Sequence, residues 1–279
     1  MPRADVVDVD HDVLAAHPLP RTGEATSKNQ RGRVLVVGGT EETPGALILT
    51  GLAALRAGAG KLQLATVADA QSSIAAAVPE ARVIAGLDGP VVVEAADDSD
   101  AVVLGVGMFA GDAAAQHRDR LVDAIDPPVL VLDAGALTGF DRSVTESTIL
   151  VPNPGEMEDL LGGPVDDPAD AVRTLCARTG ATVALRGPET WITGPDAPVF
   201  VFRGGHPGLA TSGSGDVLSG VVGGLAAQGA EPLAAVLHGV VAHGRAGHRA
   251  AERIAPVGFL ARELLGELPA ALDESRNCR

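Results

Sequence analysis

Aromatic residues and cysteine are the scarcest components of this 279-residue chain. Tyrosine is absent, tryptophan occurs once, and aromatic residues make up only 2% of the sequence. The two cysteines, Cys176 and Cys278, lie far apart and have no metal-binding pattern of residues around them. Their number and spacing exclude a disulfide scaffold and a cysteine-based zinc site, and they favour a protein of the reducing cytoplasm.

Positive charge is also in short supply. The chain has 36 acidic and 21 basic residues, a formal net charge of −15, and no basic run longer than two residues. Nucleic acids and anionic membrane surfaces bind to basic patches, so we expect neither as a partner. An anionic ligand would need a local device, such as a helix N-terminus, to overcome the negative field of the whole protein.

The chain lacks an apolar run long enough to cross a membrane. The longest uncharged apolar stretch, Val217–Ala230, is shorter than a membrane span and contains several glycines. The first twenty residues contain four aspartates and no apolar segment of the signal-peptide type. These features again predict a cytoplasmic protein.

From Arg33 onward, short β-branched segments alternate with alanine-rich ones. Arg33–Val37 is predicted to be a buried strand, and the stretch that begins at Pro44 is predicted to be a helix. Repetition of this unit predicts an α/β fold, with a doubly wound, mostly parallel sheet and helices on both faces. Residues 1–32 are acidic and rich in turn formers, so we expect an irregular N-terminal arm before one catalytic domain over residues 33–279.

Glycines and polar residues follow several predicted strands. Ligands of doubly wound sheets bind beyond the carboxyl ends of the strands, so these segments are candidates for a binding site. They are Gly38-Gly39, Gly105–Gly107, Asp133, Asn153–Glu156 and Arg186–Thr190. Asp133 has two possible roles, a structural one at a strand tip or a place in the lining of the site.

The segment TSGSGD, Thr211–Asp216, precedes an apolar predicted helix. Its glycines let the backbone approach a ligand, and a helix N-terminus attracts anions. Asp216 could accept a proton from a substrate hydroxyl during phosphoryl transfer, or it could simply cap the helix. Gly220 and Gly223-Gly224 weaken the helix unless close packing requires them, which favours the functional interpretation.

Other known patterns are absent or weak. Gly38-Gly39-Thr40 does not have the spacing of a Rossmann fingerprint, and no Walker motif occurs. His238, His243 and His248 are spaced by five residues, so they do not share one helix face as metal ligands would. We expect them to occupy ordinary positions on a helix or at the surface.

Five segments occur in the order found in one enzyme family. They are PGALILTGLAALRAGAGKLQLAT, VLDAGAL, PNPGE, LRGPETWI and GGHPGLATSGSGDVLSG. From about Arg33 to about Ala242 the chain closely resembles the ADP-dependent NAD(P)H-hydrate dehydratases, a branch of the ribokinase-like superfamily. The resemblance implies a ribokinase-like fold and a stand-alone enzyme, since the chain is too short to carry the epimerase domain sometimes fused to the family.

The resemblance also implies a reaction. The S form of hydrated NADH or NADPH would be dehydrated to NAD(P)H, with ADP or ATP as co-substrate, Mg²⁺ as cofactor, and AMP and phosphate as products of the ADP reaction. It further implies a homo-oligomer, a tetramer, whose partners are the hydrate and the nucleotide.

Particular residues match the family's functional positions. The resemblance makes Asp216 the catalytic base. The hydrate-binding positions are Ala46, Gly107, Asn153 and Asp216. The positions that bind ADP or AMP are Arg186, Gly187, Pro188, Glu189, Thr190, Gly213, Ser214 and Gly215. Glu156 completes an N-x-x-E pattern found in ordinary ribokinases, where the glutamate helps to organise Mg²⁺ through water.

Two residues depart from the family pattern. Asn153 stands where the family usually has histidine, and it cannot titrate. Arg186 stands where lysine is usual, and its planar guanidinium presents a different geometry to phosphate. Two alternatives therefore remain: a ribokinase-like kinase for a hydroxymethyl vitamin precursor, favoured by N-x-x-E, and a non-catalytic nucleotide-binding protein. Asp216 and its glycines argue against the second.

Overall fold

A computed structural model describes residues 6–20, 27–126 and 128–276 of the chain. Its centre is a ten-stranded sheet in the order β1-β10-β9-β8-β7-β6-β5-β2-β3-β4. Only β9 is antiparallel to its neighbours. The strands are β1 (Val6–Asp8), β2 (Arg33–Val37), β3 (Lys61–Thr66), β4 (Ala81–Ala85), β5 (Ala101–Leu104), β6 (Leu130–Leu132), β7 (Thr148–Leu150), β8 (Thr182–Leu185), β9 (Thr190–Thr193) and β10 (Val199–Phe202).

Helices cover both faces of this sheet. They are α1 (His11–Ala16), α2 (Pro44–Arg56), α3 (Gln71–Ala77), α4 (Pro90–Asp97), α5 (Asp112–Val122), α6 (Pro154–Leu161), α7 (Pro168–Thr179), α8 (Ser214–Ala227), α9 (Pro232–Arg253) and α10 (Ala261–Arg276). Helices α2, α8, α9 and α10 pack on one face, and α4 to α7 pack on the other. The predicted α/β class and the mostly parallel sheet are confirmed.

Strand β2 is apolar and buried from Val34 to Val37 because both of its faces are covered. Val34 and Val36 belong to the core on the α8 side, whereas Leu35 and Val37 belong to the core on the α4 side. Successive side chains of a strand point to opposite faces, so a strand covered on both faces needs apolar residues at every position. The sheet therefore separates two apolar layers.

Close packing of α2 against α8 explains the glycines in α8. A side chain at Gly220 would overlap the carbonyl of Thr50, and a Cβ at Gly224 would lie 2.5 Å from the carbonyl oxygen of Ala54. Glycine in a helix costs about 1 kcal/mol relative to alanine, and here it lets two backbones meet. This contact positions the N-terminus of α8 beside that of α2.

The N-terminal segment differs from its prediction. Strand β1 pairs in parallel with β10, with Val7 opposite Phe200, and Leu14 of α1 is 3% exposed within the core. The expectation of an irregular arm is therefore wrong for residues 6–16. A three-residue strand is too short to show a periodicity, and its pairing with β10 and the packing of Val7 on the core stabilise it. Residues 1–5 and 21–26 of the predicted arm and Cys278 lie outside the described residues.

The division of the chain into an arm over residues 1–32 and one domain over 33–279 stays a prediction. None of the helices within the described ranges combines the length and the apolar character that a membrane crossing requires.

Candidate active site

The carboxyl ends of four adjacent parallel strands meet the N-termini of α2, α6 and α8. Gly107 follows β5, and a Cβ there would lie 2.8 Å from the Cβ of Ala46 in the first turn of α2. The hydroxyl of Thr50 in α2 donates to the carbonyl oxygens of Ala46 and Asp216, at 2.9 and 3.0 Å. The fold thus brings together three of the four residues predicted to bind the hydrate.

The backbone at the N-terminus of α8 leaves room for a ligand to approach it closely. Gly213 precedes the helix with φ of +87°, a left-handed conformation that glycine adopts without strain. The first turn of α8 carries Asp216 as its acidic residue, and no side chain caps the helix. Free N–H groups at a helix start attract anions, so the structure provides the local device that this acidic protein needs.

Arg186, after β8, is the cation nearest to that helix start. Its Nη2 atom donates to Asp133 Oδ1 at 2.8 Å and to Glu156 Oε2 at 3.3 Å. Its Nη1 atom occupies the space that a side chain at position 215 would need, so Gly215 makes room for the guanidinium. Arg186 Nε is buried and has no hydrogen-bond partner within the described part of the chain.

Asp133 is buried at the tip of β6. It is 1% exposed and accepts hydrogen bonds from Arg186, from the backbone N–H of Ala134 at 2.7 Å and from the Ser219 hydroxyl at 2.6 Å. Of its two predicted roles, the structure shows the one at the strand tip, with no exposure to a ligand. Ser219 was missed by the sequence reasoning, although its position three residues after Asp216 places it on the same face of α8.

Asn153 and Glu156 form a capping box at the start of α6. Asn153 Oδ1 accepts from the N–H of Glu156 at 3.0 Å, and Glu156 Oε2 accepts from the N–H of Asn153 at 2.8 Å. This reciprocal cap is a sufficient structural reason for the N-x-x-E pattern. The pattern therefore no longer favours the kinase alternative. Burial and the nearby Asp133 raise the pKa of Glu156.

Asp216 is a carboxylate with an elevated pKa. Burial raises its pKa to about 6, the negative charges of Asp133 and Glu156 add to this effect, and Arg186 opposes it. Such a carboxylate is ionised at neutral pH and is a stronger base than an exposed aspartate. The site therefore contains a proton acceptor suited to a neutral hydroxyl.

A cavity of about 680 Å³ opens beside these residues. Its lining includes the apolar side chains of Phe202, Leu209 and Leu218. Several residues predicted to bind ADP or the hydrate line it: Asn153, Arg186, Gly187, Pro188, Thr190, Ser214 and Gly215. The other residues predicted to bind ADP or the hydrate are not among the lining residues: Ala46, Gly107, Glu189, Gly213 and Asp216. The Glu189 carboxylate accepts from Arg203 Nε at 2.9 Å.

His243 also lines this cavity, whereas the sequence predicted only an ordinary helix or surface position for it. Its Nε2 atom lies 3.0 Å from the Ser214 hydroxyl. Burial lowers its pKa to about 4, so the ring is neutral at pH 7. The two residues are 29 positions apart, and no local pattern connects them. His238 instead lies in the core, where Nε2 bonds with the His17 carbonyl at 3.0 Å.

No group of three or more histidine, cysteine or acidic side chains within the described ranges is arranged to hold a metal ion.

Comparison with known proteins identifies the family. A family model described as NAD(P)H-hydrate dehydratase matches residues 34–270. The chain belongs to the NAD(P)H-hydrate dehydratase family. It is 45% identical to the ADP-dependent (S)-NAD(P)H-hydrate dehydratase of Xanthomonas campestris pv. campestris, over 93% of this chain and 94% of that protein.

Two solved structures relate this family member to known folds. A ribokinase-like superfamily protein from Enterococcus faecalis matches with a TM-score of 0.86 at 24% identity, covering 97% of this chain and 96% of that one. The ADP/ATP-dependent NAD(P)H-hydrate dehydratase from Bacillus subtilis, co-crystallised with ATP and Mg²⁺, matches with a TM-score of 0.84 at 28% identity, covering 97% and 99%. The ribokinase-like fold is confirmed.

The two departures from the family pattern are both accommodated in this NAD(P)H-hydrate dehydratase family member. Asn153 keeps a helix cap, because its oxygen accepts from the N–H of Glu156 while its amide N–H₂ remains a donor. Arg186 reaches two carboxylates and lies against Gly215. The assignment of individual residues to ligand binding stays a prediction.

Proposed function

We propose that this protein dehydrates the S form of hydrated NADH or NADPH in an ADP-dependent reaction that yields NAD(P)H, AMP and phosphate. The observation that carries the proposal is the position of Asp216, a carboxylate with a pKa of about 6 in the first turn of α8, directly after Ser214 and Gly215, which line the cavity together with Arg186. The 45% identity to an ADP-dependent dehydratase supports the same conclusion.

The chemistry follows from the leaving group. Hydroxide leaves a ring carbon poorly, whereas phosphate leaves well. Asp216 accepts the proton of the ring hydroxyl, whose oxygen attacks the terminal phosphorus of ADP while the bond to the bridging oxygen breaks and AMP departs. Phosphate then leaves with the C–O electron pair, and loss of a proton from the adjacent ring carbon restores the double bond. A kinase-like site thereby serves a dehydratase.

The nucleotide occupies the cavity between β8, β10 and α9. Its base lies against the apolar side chains of Phe202, Leu209 and Leu218, and its phosphates approach Ser214, Gly215 and the start of α8. The guanidinium of Arg186 and the N–H groups of α8 stabilise the negative charge of the transferring phosphoryl group. We assign Gly187, Pro188, Glu189, Thr190 and Gly213 to the same nucleotide site.

The hydrate occupies the other side of Asp216, against Ala46, Gly107 and Asn153. Ala46 and Gly107 are in contact with each other, so the start of α2 and the end of β5 form one surface for the hydrate. The Asn153 amide is a hydrogen-bond donor at this edge.

Mg²⁺ accompanies the nucleotide. The protein offers no preformed cage for it within the described residues, since both oxygens of Asp133 and Oε2 of Glu156 already accept hydrogen bonds. Mg²⁺ commonly keeps several waters and binds through substrate phosphates and one or two carboxylates, which fits Glu156 with its remaining oxygen as a water-mediated ligand. When bound, the ion neutralises charge on the phosphates.

We also propose a homotetramer of the cytoplasm, built from one catalytic domain per chain. Helices α8, α9 and α10 form an alanine- and glycine-rich C-terminal third, and Val257 and Leu260 between α9 and α10 are 73% and 45% exposed. Light scattering after size exclusion should give four times the 28.1-kDa mass of the chain. A monomeric mass would contradict this state.

The function is tested by restoring NADH. Purified protein is incubated with enzymatically hydrated NADH and either ADP or ATP, and the absorbance of reduced nicotinamide is followed. We expect recovery with ADP, abolished by Asp216→Asn. Asp170→Asn, in the first turn of α7, is the matched control and should keep the activity.

The other outcomes identify the alternatives. ATP consumption only with a hydroxymethyl vitamin precursor would indicate a kinase. ADP binding without turnover would indicate a non-catalytic nucleotide-binding protein.

A further inference from the structure

We propose that Asp133 is a positioning residue: it holds the Arg186 guanidinium at the start of α8 and acts on the nucleotide only through Arg186. The inference rests on the proposed function, because it takes Arg186 to be a ligand of the ADP phosphates. Asp133 itself is 1% exposed and does not border the cavity. Its influence on a ligand must therefore pass through another side chain.

Both carboxylate oxygens of Asp133 are committed to fixed donors. Oδ1 accepts from the N–H of Ala134 at 2.7 Å and from Arg186 Nη2 at 2.8 Å, and Oδ2 accepts from the Ser219 hydroxyl at 2.6 Å. Ser219 is fully buried. Short bonds to a buried carboxylate are stronger than neutral ones, so this carboxylate is held on three sides.

The backbone that carries Asp133 cannot shift easily. The next residue, Ala134, has φ of +47°, a left-handed conformation that is strained for a residue with a side chain. A side chain at Gly105 would overlap the Asp133 carbonyl, so the β5 and β6 strand ends are in close contact. Arg118 donates to the carbonyls of Ala136 and Thr138, at 3.0 and 2.6 Å, and closes the turn that follows.

The other contacts of Arg186 are weaker restraints. Glu156 lies 3.3 Å from Nη2, is 23% exposed, and uses the same oxygen to cap α6. Gly215 offers the guanidinium a surface but no charge. A long arginine side chain loses rotamer entropy when it is fixed, so it needs a strong anchor to stay in one position. Asp133 is that anchor.

The same carboxylate connects the cation to the base. Ser219 and Asp216 are three residues apart on one face of α8, and Arg186 follows β8. Because Asp133 bonds to both Ser219 and Arg186, one buried group fixes the guanidinium relative to the helix that carries Asp216. The arrangement suits arginine, whose planar fork can bond to a carboxylate and still present donors to a phosphate.

The test is a double-mutant cycle on ADP affinity with Asp133→Asn, Arg186→Gln and the double variant, measured by calorimetry. Asp133→Asn should raise the Kd and the KM for ADP about tenfold, and change the KM for the hydrate by less than about twofold. In the Arg186→Gln background the same substitution should change the Kd for ADP by less than about twofold. A purely structural role would instead weaken both ligands in both backgrounds.

Two further variants provide an alternative to Asp133→Asn and a control. If Asp133→Asn fails to fold, Ser219→Ala removes one restraint from the carboxylate and should raise the Kd for ADP about threefold, again only when Arg186 is present. Asp88→Asn is the matched control, since Asp88 pairs with Arg120 at 2.6 Å and lines no part of the cavity. An unchanged Kd is expected there.

Failure of the two proposals can be distinguished. Loss of ADP affinity that persists in the Arg186→Gln background would overturn the role of Asp133 and leave the proposed function standing. If the wild-type protein binds no ADP, the proposed function fails, and a ligand-free crystal structure of Asp133→Asn then decides the positioning role. A guanidinium displaced from Gly215 would support it, and an unmoved one would overturn it.

Discussion

Asp216 must be ionised to accept a proton, yet it lies where ionisation is costly. Burial raises its pKa to about 6, and Asp133 and Glu156 are both negatively charged neighbours. The positive charge of Arg186 opposes them. At pH 7 this carboxylate is ionised, and its elevated pKa makes it a stronger base than an exposed aspartate. A general base needs both properties.

This balance predicts the pH dependence of the reaction. Because only ionised Asp216 accepts a proton, kcat/KM for the hydrate should rise with pH through about 6 and level off above 7. Initial rates between pH 5 and 8.5, with the ADP affinity measured in parallel, check this expectation. A flat profile across pH 6 would show that Asp216 does not act as the base.

The same pKa predicts a stability effect of Asp216→Asn. The pKa is about 6 in the folded protein against 3.8 for an ordinary aspartate, so folding favours the protonated form and ionised Asp216 destabilises the fold. Asparagine should therefore increase the free energy of unfolding at pH 7.5 by up to about 3 kcal/mol. The gain should shrink as pH falls from 6 and vanish below 4.

Urea unfolding at pH 7.5 and pH 4 measures this difference. A variant that is less stable than the wild type at both pH values would mean that capping of α8 is the main role of Asp216.

At the scale of elements, the contact between α2 and α8 orients the site. Thr50 of α2 donates to the carbonyl of Asp216, and the glycines of α8 let the two helices approach. The start of α8 is thus fixed by packing along its length. A substitution in the middle of α8 should therefore lower the free energy of unfolding before it alters the site.

We expect Gly220→Ala and Gly266→Ala to have opposite effects. A methyl group at position 220 meets the backbone carbonyl of Thr50, so the variant should lose about 1–3 kcal/mol of unfolding free energy. Position 266 in α10 is exposed with no atom near its Cβ, so alanine there should gain about 0.5–1 kcal/mol. Urea unfolding of both variants checks this, and equal effects would contradict the packing argument.

At the scale of the whole molecule, the N-terminal segment completes the sheet. Strand β1 covers the edge of β10, Leu14 of α1 joins the core, and the His17 carbonyl lies 3.0 Å from His238 Nε2. Exposed strand edges favour aggregation, so this coverage also protects the protein from self-association through β10.

A chain that begins at residue 27 should therefore be less stable than the full chain by several kcal/mol and should aggregate on heating. Leu14→Ala in the full chain should reproduce about 2–3 kcal/mol of that loss through the cavity it leaves. Thermal unfolding with light scattering measures both. Equal melting temperatures for the short and full chains would show that residues 6–20 are dispensable.

Local patterns in the sequence determined the α/β class and the mostly parallel strands, and they predicted a ligand site at the start of α8. The apolar run of β2, the glycine before α8 and the placement of Asp216 in its first turn all depend on residues close together in the chain. Periodicity and turn chemistry act over a few residues, so they can be read without a structure. The family resemblance supplied the reaction.

Only the tertiary structure decided which side chains meet. Asp133 and Arg186 are 53 residues apart, Asp133 and Ser219 are 86 apart, and Ser214 and His243 are 29 apart. Such pairs depend on the order of strands in the sheet and on the helices that cover it, which no local pattern encodes. For the same reason the pairing of β1 with β10 could not be predicted from the sequence. A segment of three residues adopts a strand conformation through the neighbouring strand with which it pairs.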